Sequence, residues 1–250
     1  MERTLAVFAD AADLARAASE RVLDIARSAE AERGVFHIAL AGGSTPRALY
    51  TRLAQMGVDG AIGFRRWQIW FGDERCVPAD HADSNYRMAR ESWFVPASVK
   101  SSQIHRIEAE LADTNEAAAR YERWLKAVLA PKVGEAPRLD LVLLGMGADG
   151  HTASLFPGTS ALVERERWVV ANRVEKLGAQ RITLTYPLLD AARNVLFLVA
   201  GADKAETLQR VLEGPPDAAN LPSQAVQPTQ GTLTWLVDRA AAARLTRSPA

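Results

Sequence analysis

Apolar positions along this chain follow two spacings, and the way the two alternate predicts an α/β fold. Largely apolar runs occur at Val35 to Ala41, Trp67 to Phe71, Leu141 to Leu144 and Val195 to Ala200. They lack the polar alternation of a half-exposed strand, so they read as strands covered on both faces of a parallel sheet. Shorter strands are expected at Leu5 to Phe8, near Trp168 to Ala171, at Arg181 to Thr185 and at Leu233 to Val237. Between the strands the period changes. Leu14, Ala18, Val22, Ile25 and Ala29 lie at helical spacing, and Gly34 then supplies a stop. Thr45 and Pro46 read as the N-cap and first position of a helix running to about Gln55. Further helices are predicted from Ser84 and Asn85, over Thr114 to Leu129, after Pro187, over Asp203 to Glu213, and over Asp238 to Leu245 at the end.

Strands alternating with helices argue for one α/β domain over residues 1–250, with a mostly parallel, doubly wound Rossmann-like sheet flanked by helices on both sides. The loop through Pro131, Gly134 and Pro137 is the best internal boundary, and no internal repeat is visible. The apolar stripes and the six tryptophans read as core.

Composition narrows the partners. With 250 residues and 48% hydrophobic content the chain can bury a sizeable core. Thirty basic residues balance thirty acidic ones, so no overall field attracts nucleic acid or an anionic membrane, and no obligate protein partner is predicted. A single cysteine, Cys76, excludes an internal disulfide and a cysteine cage for a metal, and is assigned no role. It suits a reducing cytoplasm. The opening Met1-Glu2-Arg3-Thr4 lacks the basic and apolar regions of a secretory signal, and no apolar run approaches the ~20 residues of a membrane helix.

The densest chemical signal is Leu139 to Gly158. A buried strand is followed by Gly145, Gly147 and Gly150, which turn the chain at the strand's carboxyl end, where open α/β sheets bind ligands. Asp149 and His151 arrive there together, and a carboxylate beside an imidazole has the makings of a general base. On pattern alone such a histidine serves equally well as a turn cap.

Two other strand ends suit phosphate. Gly42-Gly43-Ser44-Thr45-Pro46 joins a strand to a helix, so its amides and hydroxyls can surround an anion at the positive end of the helix dipole. It is not a Walker loop, since no Gly-Lys-Ser/Thr follows. Gly201-Ala202-Asp203-Lys204 repeats the placement and adds the charge of Lys204. Each alone has an ordinary structural explanation, whereas the two together favour a phosphorylated metabolite.

Asp73-Glu74-Arg75 occupies a third strand end, and the permanently charged Arg75 suits an oxyanion or phosphate rather than proton transfer. His37 reads as a core residue, His81 as part of an acidic loop and His105 as part of a connection. No metal-ligand spacing is found, so no metal is expected, and no Gly-x-Ser-x-Gly elbow supplies a serine nucleophile.

Taken in order, Ala41 to Pro46, Gly72 to Arg75 with Ser84-Asn85, Leu144 to Gly158, Arg181 to Thr185 and Gly201 to Ala205 resemble the 6-phosphogluconolactonases over nearly the whole chain. The resemblance implies hydrolysis of 6-phosphoglucono-1,5-lactone to 6-phosphogluconate, the second step of the oxidative pentose phosphate pathway, without a cofactor. Related glucosamine-6-phosphate deaminases share the glycine loop, the Asp-Glu pair and the Asp-Gly-His turn. They carry a glutamate five residues after the histidine, where this chain has Phe156, and a tyrosine where it has Arg75. Both departures favour the lactonase. A non-catalytic sugar-phosphate sensor is the alternative from another class.

On this resemblance His151, Asp149, Arg75 and Asp73 form the catalytic set. Gly42, Gly43, Ser44, Thr45, Arg181 and Lys204 hold the phosphate of a small phosphorylated sugar lactone. The stretch Glu175 to Gln180 departs from the Lys-Pro-Pro segment that lactonases often carry before this arginine, which leaves Lys176 unassigned.

Overall fold

Six parallel strands form the main sheet of the computed structural model, in the order β1 (Arg3–Phe8), β9 (Thr232–Asp238), β8 (Asn194–Val199), β5 (Leu141–Leu144), β2 (Phe36–Leu40) and β3 (Trp67–Phe71). The structure describes residues 3–246. Met1 and Glu2, part of the segment assessed above for an export signal, lie outside it, as do residues 247–250. Every residue of β2 and β5 is buried, and Ile38 faces Leu141 while Ala39 faces Val142. That is the double coverage the unbroken apolar runs predicted.

Trp67 meets the rings of Phe36, Phe64 and Trp93 edge-on at 4.8, 5.1 and 5.7 Å, a favoured aromatic arrangement. Removing such a buried ring costs roughly 3 to 5 kcal/mol. One tryptophan departs from the expectation: Trp124 is 55% exposed.

Helix α1 (Ala11–Arg33) opens on the Asp10 carboxylate, which accepts from Ala12 N and Asp13 N at 2.9 Å, and closes on Gly34 at φ 77°. It packs against β1, β2, β9 and α2 (Ser44–Val58). The cap of α2 corrects the sequence reading. Gly43 holds the cap position at φ 105° with no side-chain bond, so Thr45 lies inside the helix and the first amides stay open. At α4 (Thr114–Leu129) the cap is Asp113, whose carboxylate accepts from Asn115 N and Glu116 N.

A second sheet was not foreseen. It is antiparallel, in the order β4 (Asp73–Arg75), β7 (Ala179–Leu184), β6 (Val169–Val174), and α4 packs on β6 and β7. Its residues Ile182 and Leu184 join the same buried cluster as Phe71 and Leu141 of the main sheet.

The remaining helices are α3 (Asn85–Ala89), α5 (Tyr186–Ala191) and α6 (Ala205–Glu213). The helix expected over Asp238 to Leu245 does not form. Asp238 ends β9, its carboxylate accepts from Ala241 N at 2.7 Å and from Gly201 N at 3.1 Å, which ties it to the end of β8, and the chain that follows makes only turns. Among the described residues, no helix is long and apolar enough to cross a membrane.

Candidate active site

Strand β2 leads to β3 on one side, whereas β5 leads on to β8 on the other, so the chain reverses direction between β2 and β5. Open α/β sheets bind their ligands in the crevice at such a switch point. The loop after β2 is tied down by hydrogen bonds and close packing. Tyr50 Oη donates to Ala41 O at 2.8 Å and accepts from Ala41 N at 3.0 Å, and a Cβ on Gly42 would collide with the Asn85 amide. Gly43 at φ 105° then turns the chain into α2, leaving the amides and hydroxyls of Ser44 and Thr45 at a positive helix end.

After β5 the chain turns through Gly147 and Gly150. A Cβ on Gly147 would strike the His151 ring and the Asp149 carboxylate, so glycine is needed there for close approach. Gly150 has φ 78°, and its carbonyl accepts from Ser223 N at 2.9 Å and Ser223 Oγ at 2.8 Å. His151 is held by this turn. Its Nδ1 lies 2.5 Å from Asp149 Oδ1, and a carboxylate only accepts, so Nδ1 carries the proton and Nε2 presents its lone pair. Burial holds His151 down to about 4, opposed by Asp73 and reinforced by Lys204, Arg181 and Arg75. The imidazole is thus neutral at pH 7 and able to accept a proton, and with 30% of its side chain exposed it is reachable by water.

Strand β4 brings the acidic pair and Arg75. Glu74 is structural: its carboxylate accepts from Arg75 N, Asn85 N and Tyr86 N, each at 2.8 Å, and from Ser84 Oγ at 3.2 Å. Burial raises its pKa, and those three amides work against the rise. Asp73 accepts from Ser154 Oγ at 2.6 Å and from Asn85 Nδ2 at 3.2 Å. Arg75 donates to Asp83 O at 2.5 Å.

Gly42, Gly43, Ser44, Thr45 and Lys204 line one cavity of about 250 Å³ together with Asp73, Arg75 and His151. Lys204 also pairs with Asp203 at 2.9 Å. Arg181 does not line that cavity. It faces Arg75 across the β4–β7 register and lines an adjoining cavity of about 550 Å³ with Asp149, Phe156 and Lys176. Both cavities share Asp73, Arg75, His151 and Ala153, so they form one trough. Cys76, which lines neither cavity, is pushed up to about 11 by burial and stays a thiol at neutral pH.

Sequence reasoning missed Ser154, the buried donor to Asp73, and the stacking of Phe156 on His151 at 4.0 Å and 21°. Phe156 was singled out only for the carboxylate it lacks. Among the described residues, no group of three His, Cys, Asp or Glu side chains is placed to hold a metal. A larger depression, about 800 Å³, lies at the amino ends of the strands, where Arg138 is engaged by the carbonyls of Ala191 and Gln230.

A carboxylate-backed imidazole and a glycine-lined loop with Lys204 beside it meet at one switch point, an arrangement chemically able to carry out acid–base work on a small anionic molecule. The family described as glucosamine-6-phosphate isomerases/6-phosphogluconolactonase matches residues 9–235, and the chain belongs to that family. It is 41% identical to a 6-phosphogluconolactonase of Nostoc sp., over 98% of this chain and 99% of that one. A 6-phosphogluconolactonase of Synechocystis sp. is 42% identical over 86% of this chain and 87% of its own. Among solved structures, 6-phosphogluconolactonase from Trypanosoma cruzi superposes with a TM-score of 0.88 at 30% identity, covering 98% of each chain.

Proposed function

We propose that the chain hydrolyses 6-phospho-D-glucono-1,5-lactone to 6-phospho-D-gluconate, the second step of the oxidative pentose phosphate pathway, with His151 as the base. The observation that carries the mechanism is the 2.5 Å contact between His151 Nδ1 and Asp149, in a histidine that lines both halves of the trough. His151 Nε2 takes a proton from water as the water oxygen attacks the lactone carbonyl. The tetrahedral oxyanion is stabilised by Arg75. Collapse breaks the bond to the ring oxygen, and the protonated His151 returns its proton to that oxygen as it leaves. Asp149 and Asp73 both favour the transient imidazolium, Asp149 by hydrogen bond and Asp73 by charge.

Gly42, Gly43, Ser44, Thr45 and Lys204 hold the phosphate, while Arg181 adds its charge beside Arg75 on the adjoining wall. General acid–base help contributes ~10² to 10⁴-fold, which suffices for an already reactive ester without a covalent intermediate. Phe156, stacked where a deaminase carries its glutamate, argues against the isomerase reaction. Residues 1–250 are taken as one domain, supported by the single buried cluster that joins both sheets. The lone Cys76 supports a cytoplasmic setting.

The test is the disappearance of the lactone above its spontaneous rate. Acceleration supports the assignment; ammonia release from glucosamine 6-phosphate, or product binding without acceleration, would replace it with the deaminase or the sensor.

A further inference from the structure

His151 occupies only one oxygen of Asp149. The other, Oδ2, contacts the ammonium of Lys176, which also lies 5.0 Å from the centroid of the Phe156 ring. Phe156 stacks on the His151 imidazole at 4.0 Å, and that imidazole returns to Asp149 at 2.5 Å. Four side chains, the base among them, therefore close a ring of contacts. Three of them come from the segment after β5, whereas Lys176 reaches in from the 3-10 turn Glu175–Leu177 that joins β6 to β7. With 49% of its side chain exposed, Lys176 has little role in packing.

We propose that Lys176 is a positioning residue for the hydrolysis: it fixes the Asp149 rotamer that orients His151, and it offsets part of the charge which that carboxylate brings to the ring. This rests on the lactonase assignment made above. A lone carboxylate against an imidazole stabilises the imidazolium, and a histidine already protonated cannot act as the base. The charged groups around His151 are Asp73 and Arg75 on β4, Arg181 on β7, Lys204 before α6, and Asp149 on its own loop. Among them Asp149 makes direct contact, so the cation on its second oxygen governs how strongly it draws a proton onto the ring. Lys176 also holds the face of Phe156 by a cation–π contact, which steadies the ring that His151 stacks upon.

Two variants, Lys176→Met and Lys176→Arg, test this. Each is assayed on 6-phosphogluconolactone with the spontaneous rate subtracted, and His151 is titrated by NMR in the unliganded protein. In Lys176→Met, kcat falls about fivefold with KM little changed, the size expected for one lost pairwise coupling of ~1 kcal/mol. The acid limb of kcat/KM and the His151 midpoint both move up by roughly half a pH unit or more. Lys176→Arg restores both.

An unmoved His151 midpoint in Lys176→Met overturns the proposal. So does a rise in KM with kcat and the acid limb unchanged, which would make Lys176 a substrate contact. If the wild-type protein fails to accelerate lactone loss, the lactonase assignment falls instead, while the NMR titration still decides whether Lys176 controls His151.

Discussion

His105 and His151 are near twins by two measures and differ in everything that matters for chemistry. Each imidazole stacks on an aromatic ring at 4.0 Å, His105 on Trp70 and His151 on Phe156. Each is lowered to about 4, chiefly by burial. At His105, however, Nε2 meets the neutral amide oxygen of Gln68 at 2.6 Å, Nδ1 is enclosed without a partner, and the residue is 8% exposed. At His151 a carboxylate holds Nδ1, cations surround the ring, and the trough admits water. A depressed pKa alone does not make a base; an orienting anion and access to solvent do.

The largest expected effect separates the two directly. His151→Ala lowers kcat by about 10² to 10⁴-fold, while His105→Gln keeps kcat within about twofold, both read from lactone disappearance. Loss in both variants would make burial, rather than the site, the common cause. Next in size is Asp149→Asn, which offers Nδ1 an amide in place of a pure acceptor and so allows the wrong tautomer. It lowers kcat by roughly 10²-fold with KM nearly unchanged, measured by initial rates.

The contrast between these histidines was partly legible in the chain. His37 was correctly placed in a strand, where its Nδ1 accepts from Trp70 Nε1 at 3.2 Å. Asp149 and His151 are two residues apart on a glycine turn, so their pairing is local and visible to spacing. The parallel sheet was legible for a similar reason, since Leu141 to Leu144 is an unbroken apolar run. Strand β4 was not. It is three charged residues, and its burial is satisfied by Ser84, Asn85 and Ser154 rather than by apolar alternation, so no periodic signal marks it. The missing final helix was not legible either: Asp238 caps Ala241 N as it would at a helix start, yet the chain beyond it makes only turns. Lys176 joins the base only through the fold of the β6–β7 hairpin.

Smaller effects sharpen the division between the reacting end and the phosphate end. Lys204→Met raises KM by about tenfold or more, as expected for a lost charge-assisted bond of roughly 1.5 to 3 kcal/mol, and lowers kcat much less. A change confined to kcat would move Lys204 to the reacting end.

The last effect is on stability and does not touch the reaction. His105 titrates at about 4 when folded and near its ordinary 6.5 when unfolded, so the unfolded chain binds the extra proton between those values. Its contribution is full above pH 6.5 and is lost as pH falls toward 4. Urea midpoints of the wild type should therefore drop more steeply over that window than those of His105→Gln; parallel curves would show that His105 is not titrating in the core.

The most direct measurement is the titration of His151 itself, by NMR in the free protein, set beside the acid limb of kcat/KM for the lactone. Neutral, oriented His151 as the base requires the two midpoints to coincide, well below 6.5 and close to 4. A rate that falls at a pH where His151 remains unprotonated, or that persists after His151 is fully protonated, contradicts it.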